Sequence, residues 1–472
     1  MTEILVPNDY AAAIAYLYSR INYEQVPPVR SRKLTLEHMR RLLEVLGNPH
    51  LRIPVVHVAG TKGKGSTAAM VSSVLTRAGY RTGLYTSPHL SRLEERFAVD
   101  GMSCSPEDLV ELTDQIRTVA TAVDREIQGS LPDEALTFFE ITTAIMWLYF
   151  VRRQVDIVVL EVGMGGRLDS TNLCNPLVSV ITSISFDHTK QLGNTLAAIA
   201  SEKAGIIKPG VPVVSGVEQP EAQAVIREVA QLANAPLFAI GNEFQVRRQP
   251  VPTESSRFSQ ENRMDYYELG PGENRCSRDL AIGLLGDHQL RNAGVALAII
   301  GRLQEQGWRI DEQAIRDGLA KVRCSARIEI VGRNPTLIVD TAHNVASIAA
   351  LIETLNQHKT TGQRVLIFAA SRDKDIRGML QLLLPQFDQI VFTQFATNPR
   401  AVDAESLAGV AAELIRATGP GTPYGIVNVR KTSLEAWRYC REVLKPMDLG
   451  CVTGSFFLAA EMRAVLLADS AS

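Results

Sequence analysis

Val55-Val-His-Val-Ala-Gly-Thr-Lys-Gly-Lys-Gly-Ser-Thr67 is the stretch that decides how this chain reads. A short apolar run, Val55–Ala59, enters a turn holding three glycines and two lysines between Gly60 and Gly65, and a helical pattern opens at Ser66. Glycine lets backbone N–H groups approach phosphate oxygens closely. A helix N-terminus adds partial positive charge and Lys64 a full one. The Ser66 hydroxyl can meet a phosphate or a metal. A plain strand-to-helix turn needs no such density of glycine and lysine, so the stretch reads as a nucleotide phosphate loop. The strict G-x-x-x-x-G-K-[ST] pattern is not met: Val58 stands at its first glycine, and Gly65 separates Lys64 from Ser66. A second glycine cluster, Gly163-Met-Gly165-Gly166, is no dinucleotide fingerprint, because Leu168 takes the place of the third glycine.

Outward from the loop, short β-rich runs alternate with helical patterns, the mark of α/β architecture with a mostly parallel sheet. Strands are expected at Val55–Ala59, Gly83–Thr86, Asp156–Glu161, Val178–Ser183 and Val213–Ser215, with helices at Ser66–Ala78, Pro106–Val123 and Phe139–Arg152. Glu243 to Arg278 breaks the rhythm with polar residues, Pro250, Pro252, Gly270, Pro271 and Gly272. It is expected to form short strands or a loop rather than a helix. Five further strands, Thr336–Asp340, Val365–Ala369, Gln389–Thr393, Gly425–Val429 and Asp448–Thr453, announce a second domain. The expected division is 1–310 and 311–472.

The 472 residues are 46% hydrophobic and 21% charged, which excludes disorder as the main state. Forty-nine basic against 51 acidic residues leave a net charge of −2, so no nucleic-acid partner is expected. The first residues lack a charged-then-apolar signal, and the most apolar stretch, Ile141 to Val151, is too short to span a bilayer. No membrane association is expected. Six scattered cysteines, with no C-x-x-C pair, fit a cytoplasmic protein with reduced thiols.

Gly60-Thr-Lys-Gly-Lys-Gly-Ser66 resembles the phosphate loop of folylpolyglutamate synthases and bifunctional dihydrofolate synthases, members of the Mur ligase superfamily. Thr86-Ser-Pro-His-Leu90 with Glu95-Arg96, Glu161-Val-Gly-Met-Gly-Gly-Arg-Leu-Asp-Ser-Thr-Asn172, Asp187-His188, Ser201-Glu-Lys-Ala-Gly205 and Asp340-Thr-Ala-His-Asn344 are similar to further motifs of that family, in the family's order. The resemblance implies a P-loop-type ATPase domain with a mostly parallel sheet, followed by a smaller Rossmann-like α/β glutamate-ligase domain. It implies a ligase that uses ATP and Mg²⁺ to add L-glutamate to the γ-carboxylate of a folate, with dihydropteroate as a possible second acceptor. The chain is expected to act as a monomer.

The resemblance also implies roles. Gly60, Thr61, Lys62, Gly63, Lys64, Gly65 and Ser66 hold the phosphates. Asn292, Arg327 and Asp340 hold the rest of ATP, with His288 and Gln289 beside Asn292. Ser87, Glu161, His188 and Lys203 face magnesium, with Lys203 carbamylated. Lys64, His188, Lys203 and His343 serve the chemistry. Thr137, Phe138, Phe139, Arg167 and Asp169 line the pterin pocket, and Ser455, with Ser371, helps place glutamate.

Taken singly, most of these have a plainer reading. Ser87 before Pro88 is a turn residue, and Thr137 suits a helix N-cap followed by two core aromatics. Lys203 reads as a solvated lysine near a helix C-terminus, Asn292 as an inert helix residue, and His188 as a structural histidine. Glu161 is harder to dismiss, because a carboxylate ending an apolar run is costly unless paired or metal-bound. Asp340-Thr-Ala-His343 at a strand's carboxyl end is equally hard to dismiss. Two other readings compete. A peptidoglycan-precursor ligase would need a further domain before the loop, and the Ser-Pro-His-Leu segment argues against it. A scaffold that has lost catalysis fits poorly with Lys64, Glu161, His188 and Lys203 all in place. The chain departs from many bacterial family members in carrying Lys62 where they carry Asn.

Overall fold

The computed structural model describes residues 9–23, 35–130, 134–250, 262–269, 275–358, 362–418 and 425–470. The chain forms two compact units. The first comprises residues 1–247, 265–280 and 291–321, and the second residues 248–264, 281–290 and 322–472.

In the first unit, β1 (Val55–Ala59), β2 (Thr82–Tyr85), β3 (Phe97–Val99), β4 (Met102–Ser103), β5 (Ile157–Glu161), β6 (Val178–Ile181), β7 (Val213–Ser215) and β8 (Leu237–Ala239) make one sheet in the order β4-β3-β2-β5-β1-β6-β7-β8. From β2 to β8 all pairings are parallel, and the β2–β3 and β3–β4 pairings are antiparallel. Every residue of β1 and β5 is buried, which is why both read as unbroken apolar runs rather than alternating ones. Val158 and Leu160 of β5 join Tyr85 and the helices Pro106–Ser130 and Phe138–Arg152 in one apolar core. A second core gathers Ile181 and Val213 with Ile199, Ile226 and their neighbours. The helix Glu312–Lys321 packs on the helix Lys64–Arg77: a Cβ at Gly318 would lie 2.5 Å from Val74 Cα, and the Ser73 hydroxyl donates to the Gly318 carbonyl at 2.8 Å.

Most described residues of the stretch Glu243 to Arg278 are strand: β9 (Phe244–Arg248), β10 (Asn262–Glu268) and β11 (Cys276–Ile282) form a small sheet ordered β11-β10-β9. Pro252, Gly270, Pro271 and Gly272 lie outside the described residues.

The second unit's sheet holds β12 (Glu329–Arg333), β13 (Thr336–Val339), β14 (Arg364–Phe368), β15 (Gln389–Phe392), β16 (Ile426–Val429) and β17 (Leu449–Thr453) in the order β12-β13-β17-β14-β15-β16. Only β12 runs antiparallel to its neighbour. Its core is formed by Ile338, Leu366, Phe368, Ile390, Phe392 and Cys451 with apolar residues of the flanking helices. In both units the turns that follow the parallel strands gather at one sheet edge, where open α/β sheets bind their ligands.

Candidate active site

The phosphate loop follows β1 directly, and its helix begins at Lys64, two residues earlier than the sequence pattern implies. The reason is Gly63, the N-cap, whose left-handed conformation (φ 83°) turns the chain into the helix at once. A Cβ there would also lie 2.3 Å from Asn292 Oδ1, so the loop and the buried Asn292 side chain are in close register.

Residues Gly60 to Lys62 are pinned to the segment after β6. The Thr61 N–H donates to the Ser183 carbonyl (2.8 Å), and the Thr61 hydroxyl both donates to the Ser185 carbonyl (3.2 Å) and accepts from the Ser185 N–H (3.1 Å). The Lys62 N–H donates to Ser183 Oγ (2.9 Å), while the Lys62 carbonyl accepts from the Thr182 hydroxyl (2.7 Å). The hydroxyls of Thr182 and Ser183 therefore shape the loop. Sequence reasoning missed them; the only available signal was their place at the end of a parallel strand.

Glu161 ends β5 and is only 4% exposed. Its carboxylate lies 3.8 Å from Lys64 Nζ and accepts from the Ser87 N–H at 3.2 Å. Three sequence candidates from three different turns thus meet. Lys203, 5% exposed in the helix Leu196–Ala204, is held far below the usual lysine range, at about 7. Burial is the main cause and repulsion from Lys64 the next. Asp187 and Asp169 pull the other way, and Lys62 adds to the repulsion. Its amine is therefore about half neutral at pH 7. His188 stands at a left-handed position (φ 49°) with its side chain more than half exposed, 3.9 Å from an Asp187 oxygen. Oxygen donors at Glu161 and Ser87 fit magnesium, which prefers oxygen and keeps part of its water shell.

The predicted pterin residues separate. Thr137 caps the helix Phe138–Arg152, exchanging bonds with Glu140: its hydroxyl accepts from the Glu140 N–H (3.2 Å) and its N–H donates to the Glu140 carboxylate (2.8 Å). Phe138 is fully buried, stacked on Tyr18 at 5.3 Å with the Arg96 guanidinium over its ring. Phe139 instead meets the turn after β5, where a Cβ on Gly163 would sit 2.5 Å from its ring. Asp169 is buried beneath that turn, accepting from the N–H groups of Met164 (2.9 Å) and Thr171 (3.0 Å), and burial raises its pKa. Arg167 is half-exposed and turns to Ser201 and Glu202, donating to the Ser201 carbonyl at 3.0 Å.

In the second unit, Asp340 follows β13. Its buried carboxylate accepts from the N–H groups of Ile328 (2.9 Å) and Ala342 (2.8 Å); burial raises its pKa and the charge of Arg327 opposes that. Arg327 itself is exposed, between two left-handed residues, Ala326 and Ile328. His343 Nδ1 donates to the Thr341 carbonyl (2.9 Å), which leaves Nε2 as the acceptor nitrogen of the neutral ring. Ser455, 2% exposed, follows β17 and accepts from the Phe457 N–H (3.2 Å). Ser371, also buried, follows β14. All four turns lie at the carboxyl edge of this unit's parallel strands.

Residues 58–300 match the Mur ligase middle domain, and residues 326–456 match the Mur ligase glutamate ligase domain. A dihydrofolate synthase/folylpolyglutamate synthase of Bacillus subtilis is 34% identical over 456 residues, covering 96% of this chain and 98% of the relative. The structure of Mycobacterium tuberculosis folylpolyglutamate synthase complexed with ADP superimposes with a TM-score of 0.83 at 32% identity, over 97% of this chain and 98% of that one. Escherichia coli FolC in complex with DHPP and ADP gives 0.79 at 29% identity, over 98% of each chain. The motifs quoted from the sequence therefore sit within a likeness that spans nearly the whole molecule, and the chain belongs to the dihydrofolate synthase/folylpolyglutamate synthase family of Mur ligases.

Proposed function

We propose that this chain is an ATP-dependent ligase joining L-glutamate to the γ-carboxylate of folates, with dihydropteroate as a second acceptor. The observation that carries the reading is the meeting of Lys64, Glu161 and Ser87 at the mouth of the glycine loop, within a chain whose full-length relatives include the bifunctional enzyme. The loop N–H groups and Lys64 hold the phosphates of ATP. The acceptor carboxylate attacks the γ-phosphorus; the bond to the β-γ bridging oxygen breaks and ADP leaves. Lys64 offsets the charge that builds on the transferring group. The glutamate amine then adds to the acyl phosphate, loses a proton and expels phosphate. Glu161, Ser87, His188 and a carbamylated Lys203 would hold magnesium, which supplies Lewis-acid neutralisation of phosphate charge. Asn292, Arg327 and Asp340 are assigned to ATP, and His343 and Ser455 to the incoming amine and its carboxylates. Phe139, with the turn after β5, is assigned to the flat ring of the acceptor.

In this reading residues 1–310 supply the phosphate loop and Asn292, residues 311–472 bring Arg327 and Asp340 to ATP and handle glutamate, and the working compartment is the cytoplasm. No helix among the described residues is long and apolar enough to cross a membrane. The test is ADP release with ATP, glutamate and magnesium, comparing dihydropteroate, tetrahydrofolate and methylenetetrahydrofolate as acceptors. Release that depends on glutamate with a reduced folate is expected. No glutamate-dependent release with any acceptor refutes the assignment.

A further inference from the structure

Lys62 and Lys64 both project from the glycine loop, but they meet different partners. Lys64 lies against Glu161, whereas Lys62 Nζ donates to Asp187 Oδ2 at 3.2 Å. Asp187 uses its other oxygen, Oδ1, to accept from the N–H of His188 at 3.0 Å. A continuous path therefore runs from an ammonium in the loop, through one carboxylate, to the backbone of His188. That backbone lies in the left-handed region, with φ of 49°, which few non-glycine residues adopt even though histidine is among the more frequent of them.

The start of the path is fixed as firmly as its end. The Lys62 N–H donates to Ser183 Oγ, and its carbonyl accepts from both the Thr182 and Ser183 hydroxyls. The Lys62 backbone therefore cannot swing independently of the segment that leads into Asp187. Asp187 and Lys62 also act on the buried Lys203 in opposite senses, which puts the pair in the electrostatic neighbourhood of that amine.

We propose that Lys62 is a positioning residue: its ammonium, paired with Asp187, holds the Asp187–His188 turn in the geometry from which His188 faces the metal of the nucleotide complex. This rests on the reading of His188 as a metal-side residue. A lysine acting only as a charge predicts the opposite sign, because removing a cation near a metal relieves repulsion and tightens metal binding. A lysine acting only on phosphate predicts weaker ADP binding and unchanged metal affinity.

The experiment measures Mn²⁺ affinity of the full chain at saturating ADP, by the loss of free Mn²⁺ electron paramagnetic resonance signal, together with ADP affinity without metal by calorimetry. Lys62→Met and Asp187→Asn should each weaken Mn²⁺ binding fivefold or more, the double variant no further than the worse single one. Lys62→Arg should stay within twofold of wild type, and metal-free ADP affinity of Lys62→Met within threefold. Tighter or unchanged Mn²⁺ binding in Lys62→Met overturns the proposal, as does additivity in the double variant. His188→Ala separates the two readings. If it leaves Mn²⁺ affinity unchanged, the metal-side assignment of His188 has failed; if it weakens Mn²⁺ while Lys62→Met does not, only the role of Lys62 has.

Discussion

Replacing Lys203 by Met should make the nucleotide-free protein more stable, and by an amount that depends on pH. Burial, helped by Lys64, lowers the Lys203 pKa from 10.5 to about 7. In the unfolded chain the amine keeps its ordinary value. Below pH 7 both states carry the proton and the folded state bears the full penalty of a buried ammonium. Between about 7 and 10.5 the unfolded chain binds a proton that the folded one lacks, so stability rises with pH. Above 10.5 neither state is charged and the effect is gone. At about 1.4 kcal/mol per pH unit the full penalty has an upper bound of roughly 5 kcal/mol. Methionine has nothing to titrate and a similar length. The variant should exceed wild type by a few kcal/mol at pH 6.5, and the gap should shrink as pH rises through 7 to 9.5, by at most about 1.4 kcal/mol per unit. Urea unfolding of both proteins in carbon dioxide-free buffer, without nucleotide or magnesium, measures this. A gap that stays constant from pH 6.5 to 9.5 refutes the reasoning.

The same number bears on modification. At pH 7.5 an amine with a pKa of about 7 is roughly three-quarters neutral, whereas an ordinary lysine is neutral about once in a thousand. The neutral nitrogen can add to carbon dioxide, forming an N–C bond and releasing a proton to solvent. Wild-type protein in ¹³C-bicarbonate should therefore show a carbamate resonance that Lys203→Met lacks.

Lys64→Ala should lower the ligation rate on the order of 100-fold or more, about 3 kcal/mol in the transition state, in a protein that still unfolds cooperatively; near-wild-type turnover would remove Lys64 from the mechanism. Gly63→Ala must place a methyl group at a left-handed position, costing about 1 kcal/mol, and displace Asn292, so calorimetry should find ADP bound about tenfold or more weakly. Thr137→Ala loses the cap on the helix Phe138–Arg152, and denaturant unfolding should show a loss of about 1 kcal/mol.

The fold was legible wherever burial left a periodic trace. β1, β5 and β17 appear as apolar runs because both faces of each strand are covered. The β3–β4 hairpin carries its own signal, Asp100-Gly101 between Val99 and Met102. Both turn residues have positive φ, as a tight two-residue hairpin turn requires. The site was legible as motifs and not as contacts. Phe138 and Phe139 are adjacent and chemically identical, yet successive helix positions point about 100° apart. One is therefore sealed against Tyr18 while the other meets Gly163. Which of the two can touch a ligand depends on the helix's rotation about its axis, which residues far along the chain determine. Lys62 and Lys64 pose the same problem. Their spacing makes both look like phosphate ligands, and only the partners contributed by other strands distinguish them. Ser183 fixes the Lys62 backbone and Asp187 receives its charge, whereas Glu161 receives that of Lys64. The sequence thus states which chemical groups the site holds, while the register of β5 and β6 beside β1 decides which group meets which.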